Sequence, residues 1–125
     1  MLAKRKKMIE KMDAVLADIN VTVLNHYGKN HASSGHLYIV RLLGKTREQT
    51  NGVIEKMAER GIATNVHYKP LPMMTAYKKM GFDIKDFPNA YHMFENEITL
   101  PLNTKMTMED VDYVMENFVD IVKSL

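Results

Sequence analysis

Near the start of the chain the apolar positions Met8, Ile9, Met12, Val15, Leu16 and Ile19 recur at i, i+3, i+4 and i+7, the spacing that aligns side chains on one helix face. An opening helix is predicted there. Val21 to Leu24 reads as a short strand, and the polar stretch from Asn25 to Gly35 reads as a loop, with Gly28, Asn30, Ser33, Ser34 and Gly35 as turn formers. The run from His36 to Leu43 is apolar, aromatic or β-branched at successive positions, so it is expected to be a central strand covered on both faces. Thr46 with Gln49 three residues on has the form of a capping box. The face Thr50, Val53, Ile54, Met57 and Ala58 that follows predicts a second helix ending at Gly61, with Ile62 making the hydrophobic contact just beyond.

Ala63 to His67 then reads as another strand. Pro70 and Pro72 lack backbone donors and restrict the residues before them, so the strand is expected to stop near Tyr68 and enter a stiff, extended segment. Met73 to Met80 predicts a short helix closed by Gly81. Phe82 to Phe94 is expected to be irregular, with a turn at Pro88-Asn89. Glu97 to Pro101 reads as a last short strand. Thr107 and Asp110 cap a final helix whose face is Val111, Val114, Met115, Phe118, Ile121 and Val122. The fold class is therefore α+β, a small, mainly antiparallel sheet with helices packed against it.

A length of 125 residues closes one core, so residues 1–125 are read as a single domain. The chain opens directly on a helix, which suggests a chain entered partway through. With 46% hydrophobic and 26% charged residues the composition is that of a soluble globular protein. No apolar run approaches the roughly 20 residues of a membrane span, and the N-terminus has no signal-peptide core; the expectation is a cytoplasmic protein that contacts no membrane. There is no cysteine, and His26, His31 and His92 lack partners at metal-ligand spacing, so no metal is expected and these histidines are placed on the surface. A net charge of +2 gives no strong field for nucleic acid. The basic run Lys4, Arg5, Lys6, Lys7 and Lys11 is read as a solvated helix face rather than a phosphate site.

Three segments carry a family resemblance: Ser33-Ser34-Gly35-His36-Leu37-Tyr38, the stretch Gly61-Ile62-Ala63-Thr64-Asn65-Val66-His67-Tyr68-Lys69-Pro70-Leu71-Pro72, and Leu100-Pro101-Leu102 ahead of Thr107. Their order and spacing, with Arg47 heading the second helix, resemble the C-terminal small domain of the DegT/DnrJ/EryC1/StrS aminotransferases. The resemblance implies a fold-type-I enzyme that uses pyridoxal phosphate to move an amino group, usually from glutamate, to a nucleotide-linked keto-sugar. It also implies active sites built between two subunits of a homodimer. The cofactor would be held by a lysine and an acidic residue of an N-terminal domain absent from this chain. No catalytic or cofactor-binding residue is carried over, and the chain alone is expected to bind no cofactor and be inactive. Some relatives use the same architecture for dehydration.

The resemblance puts His67 and Tyr68 over the substrate, where an imidazole, a phenol and the Lys69 ammonium suit a sugar hydroxyl or diphosphate oxygen. These three are the substrate-binding candidates. Strand alternation offers the opposing expectation that one of His67 and Tyr68 packs against the second helix. His36 is expected to serve structure, through a loop carbonyl, more than a site. Arg47 is misplaced for the helix dipole, which favours acids in a first turn, and this points to a contact outside its helix. Of the 11 methionines most are expected in the core, while Met73 and Met74 are divided evenly between core and a patch covered by the absent domain. The competing class of answer is a free-standing α+β module that binds or senses a small ligand.

Overall fold

Both capping boxes close as their spacing asks. In the computed structural model, which describes residues 1–125, Thr46 Oγ1 accepts from the Gln49 N–H at 3.1 Å while Gln49 Oε1 accepts from the Thr46 N–H at 3.0 Å, opening α2 (Arg47–Glu59). Thr107 and Asp110 make the same reciprocal pair at 3.1 and 2.7 Å at the start of α5 (Met108–Lys123). Helix α2 ends at Gly61 with φ of +76°, and the Gly61 and Ile62 N–H groups bond back to the carbonyls of Ala58 and Met57. Glycine reaches that left-handed conformation without a Cβ clash, and Ile62 is buried beyond it as expected.

The opening helix α1 spans Leu2–Leu16, taking in the basic run. Met8, Ile9, Met12 and Leu16 are buried, whereas Val15 lies on the exposed edge of the stripe. The sheet is antiparallel with order β1 (Val21–Val23), β4 (Tyr38–Leu42), β5 (Glu97–Leu100), so the predicted central strand is central. Tyr38 pairs with Leu100, Val40 with Ile98 and Arg41 with Glu97. The side chains of Tyr38, Val40, Leu42, Ile98 and Leu100 join Met57 of α2, Met12 of α1 and Phe118 of α5 in one continuous core of 17 buried apolar residues. The Tyr38 hydroxyl donates to Asp13 at 2.6 Å, and burial together with that carboxylate pushes the phenol pKa far above its ordinary value.

The α1, α2 and α5 helices thus back one face of the sheet. The other face carries Thr22, Ile39, Arg41, Glu97 and Thr99, because these alternate with the core positions along each strand. Ile39 and Arg41 are only half-buried, so the central strand expected to be covered on both faces is closed by helices on one and only partly covered on the other.

Other expectations change too. The loop from Asn25 to Gly35 contains a small hairpin, β2 (Tyr27–Gly28) against β3 (His31–Ala32). His26 is buried, with its ring stacked on Tyr38 at 5.9 Å and its Nδ1 3.0 Å from Ser33 Oγ; its position between turn formers concealed that aromatic contact. Ala58 is exposed, on the outer edge of the α2 stripe. The strand expected over Ala63–His67 reduces to one bridge between Asn65 and Thr99, since only Asn65 exchanges backbone hydrogen bonds with β5. Pro70 and Pro72 lead into a 3-10 turn at Leu71–Met73, followed by α3 (Thr75–Lys79) and Gly81.

The irregular stretch expected from Phe82 to Phe94 holds a 3-10 turn at Ile84–Asp86 and the helix α4 (Pro88–Phe94). Pro88 occupies the first turn of that helix, where its missing N–H costs nothing and its fixed φ favours helix, so the turn signal marked a helix start. Met73 is half-buried and Met74 exposed, and neither belongs to the core. No helix is long and apolar enough to cross a membrane.

Candidate functional site

The open face of the sheet is where polar side chains converge. Segment 65–68 crosses the edge of β5, and α4 leans over the other end, held by Arg41, whose Nε donates to Asn96 Oδ1 at 3.1 Å and whose Nη2 donates to the His92 carbonyl at 2.9 Å. Beneath them Glu97 and Thr99 are buried, at 4% and 6% exposure, although both are polar. Buried polar groups need partners, and here they find each other. The Thr99 hydroxyl donates to Glu97 Oε1 at 2.8 Å, the His67 backbone N–H donates to Glu97 Oε2 at 3.1 Å, and His67 Nδ1 lies 2.9 Å from Thr99 Oγ1. Burial pushes the Glu97 carboxyl above its usual range, while the bonds from Thr99 and His67 and the nearby Arg47 charge pull it back.

Arg47 makes the contact outside its helix that its odd placement suggested. Its Nη1 donates to the carbonyls of Phe94 and Glu97 at 2.8 and 2.9 Å, its Nε donates to Asn51 Oδ1 at 3.0 Å, and its guanidinium stands 5.0 Å from the Phe94 ring centre. One side chain therefore ties α2 to the end of α4 and the start of β5. Burial lowers the Arg47 pKa, opposed by the Glu97 charge, and the second terminal nitrogen is buried without a partner.

His67 is half-buried and lines three adjoining grooves. The first, about 290 Å³, is shared with His36, Leu37, Asn65 and Thr99; the second, about 190 Å³, with Thr22, Ile39, Arg41 and Met93; the third, about 250 Å³, with Tyr68, Pro70 and Phe94. Tyr68 is 73% exposed, meets the His67 ring edge-on at 4.8 Å, and is joined to it by a cis peptide bond. Lys69 is exposed. Neither His67 nor Tyr68 is sent into the helix-backed core, the opposing expectation from alternation. His36 is exposed on the groove rim and makes no hydrogen bond, so the expected loop carbonyl is not its partner.

Two residues of this site, Glu97 and Thr99, escaped sequence reasoning. Their signal was the polar–apolar alternation Glu97-Ile98-Thr99-Leu100, which sends the polar pair to the face opposite the core. The basic N-terminal run is engaged within the chain: Lys4 Nζ donates to the Thr104 carbonyl at 2.6 Å, Arg5 to the Gly35 carbonyl at 2.7 Å, and Lys11 pairs with Asp112 at 2.7 Å. No cluster of three His, Asp or Glu side chains has the geometry to hold a metal. The lysines do not fit an aldehyde anchor such as pyridoxal phosphate requires, because none is buried and a Schiff-base lysine needs a desolvated setting to lose its proton.

Comparison with known proteins agrees with this architecture. Over 99% of this chain and 31% of its own, the structure of Spr1654 from Streptococcus pneumoniae, named as a sugar aminotransferase and solved in apo-, PMP- and PLP-forms, superposes with a TM-score of 0.96 at 46% identity. The spore coat polysaccharide biosynthesis protein SpsC of Bacillus subtilis is 34% identical over 108 residues, 82% of this chain and 27% of SpsC. The UDP-4-amino-4,6-dideoxy-N-acetyl-beta-L-altrosamine transaminase of Campylobacter jejuni is 30% identical over 93 residues, 74% of this chain and 24% of the transaminase. This chain thus spans about a quarter to a third of the length of these relatives. The family model for the DegT/DnrJ/EryC1/StrS aminotransferases matches residues 1–119, nearly the whole chain, and the chain belongs to that family.

Proposed function

We propose that residues 1–125 form one domain, the substrate-side lobe of a pyridoxal-phosphate-dependent aminotransferase that transfers an amino group from glutamate to a nucleotide-linked keto-sugar. The cofactor domain precedes this lobe in the parent enzyme, a cytoplasmic homodimer. The observation that carries this reading is the anchoring of His67: a ring fixed by Thr99 and a backbone N–H fixed by Glu97, where three grooves meet on a face that the helices leave open. Family membership and the share of each relative that the chain spans support it.

Within that lobe His67, Tyr68 and Lys69 line the sugar side of the cleft. Their part is to orient the sugar nucleotide and exclude water, which lowers the barrier through placement rather than bond making. The cofactor, when bound in the parent, acts as the electron sink for moving the amino group. The catalytic lysine belongs to the other domain.

The test is to mix the chain with pyridoxal phosphate, record absorbance at the Schiff-base band, reduce with borohydride and read adducts by mass spectrometry. The expected result is no stoichiometric adduct on any one lysine. A single stoichiometric adduct overturns the reading, because the chain would then carry a cofactor site of its own. Tight binding of a sugar nucleotide to the chain alone would instead favour a free-standing ligand-binding module.

A further inference from the structure

The buried chain of hydrogen bonds under His67 has a direction. A hydroxyl carries one proton, and Thr99 gives its proton to Glu97 Oε1 at 2.8 Å. Thr99 Oγ1 can then only accept from His67 Nδ1, 2.9 Å away. The other Glu97 oxygen is occupied by the His67 N–H at 3.1 Å, so the carboxylate is an acceptor on both sides. The tautomer of a neutral imidazole is set by the bond its inner nitrogen makes. His67 Nε2 has no partner in the chain and is not sealed from solvent.

We infer that Glu97 and Thr99 are positioning residues that hold neutral His67 with its proton on Nδ1, so that Nε2 faces the grooves as a hydrogen-bond acceptor. This rests on the reading that His67 faces substrate, and it narrows the chemistry His67 recognises there. A bare Nε2 accepts from a hydroxyl or amino hydrogen of the sugar, and its lone pair repels the oxygens of a diphosphate. The diphosphate therefore lies elsewhere in the cleft, and the neutral ring discriminates by the presence of a donor on the sugar. Where a bound sugar covers Nε2, an analogue that lacks the donor leaves that nitrogen unpaired and binds less well.

The ¹⁵N-labelled 125-residue chain tests this by long-range proton–nitrogen correlation at a pH of about 8.5, where imidazoles are ordinarily neutral. His67→Gln identifies the His67 signals among the 5 histidines. The expected spectrum has a protonated, pyrrole-type Nδ1 and a bare, pyridine-type Nε2. In Glu97→Gln the amide nitrogen replaces Oε1 and donates to Thr99, whose hydroxyl turns to His67 Nδ1, and the two nitrogen signals exchange character. Thr99→Val removes the link, and the ring reverts to the Nε2–H form that imidazole prefers in water.

A wild-type spectrum with the proton on Nε2 overturns the inference, as does a Glu97→Gln chain whose amide fingerprint is native and whose His67 tautomer is unchanged. Should either variant fail to fold, the wild-type spectrum still decides. No sugar is present in the measurement, so a wrong tautomer refutes the relay without bearing on whether His67 meets substrate.

Discussion

The two faces of the sheet are built by different physics. On the helix-backed face Val40, Ile98 and Phe118 are held by non-directional apolar burial, and each is 0% exposed. Residues 63–96, part of which crosses the open face, bury little apolar surface: Leu71, Tyr77, Met80, Phe82 and Met93 are exposed, and Phe94 is the one buried apolar side chain among them. That side is fastened by directed bonds, chiefly those of Arg47, Arg41 and Glu97. The contrast teaches that the first face supplies the fold and the second supplies geometry. A ring fixed by hydrogen bonds over a rigid sheet is a better platform for recognition than one packed into a core.

Phe118→Ala breaks the comparison most strongly. Removing this fully buried ring should cost about 3–5 kcal/mol, and the urea midpoint should fall with amide protection lost together in α1, α5 and β4. Arg47→Ala sharpens it. Losing the two carbonyl bonds should cost about 2 kcal/mol locally, which speeds amide exchange over residues 88–97 roughly thirtyfold while α5 keeps its protection. Equal loosening of both regions would show that the two faces are one cooperative unit.

The third effect is the smallest and concerns pH. The Glu97 pKa is raised above its ordinary 4.5, so the unfolded chain ionises first as pH rises. The stability Glu97 contributes is thus fully present below pH 4.5 and is lost as pH rises through the raised value. The urea midpoint of the native chain should fall relative to Glu97→Gln across that window, and a difference that stays flat with pH would contradict it.

The same contrast explains what could be read in advance. Thr46 with Gln49 and Thr107 with Asp110 declare themselves because a capping box is a contact between residues three apart. The stripes of α2 and α5 declare themselves through period. Apart from the family resemblance, Arg47 was legible as an anomaly, a cation in the wrong turn, since its carbonyl partners lie 47 and 50 residues away. His67 was legible from its place before the prolines, whereas its support from Glu97, 30 residues on, has no local signature. Helix α4 was hidden because Pro88 signals a turn and a helix start alike. The strand expected at Ala63–His67 overshot because only Asn65 finds a backbone partner there.

Strand β5 does two jobs in four residues, with Ile98 and Leu100 turned toward the helices and Glu97 and Thr99 toward the cleft. The period of two leaves no neutral position between them. A one-residue insertion or deletion just ahead of Glu97 would turn a carboxylate into the core and an isoleucine under His67 in a single step. The lineage that carries this chain is therefore free to vary its exposed connections in length, but any change in the spacing of β5 against β4 must be met by a compensating one, because the core and the support of His67 are inherited there as one character.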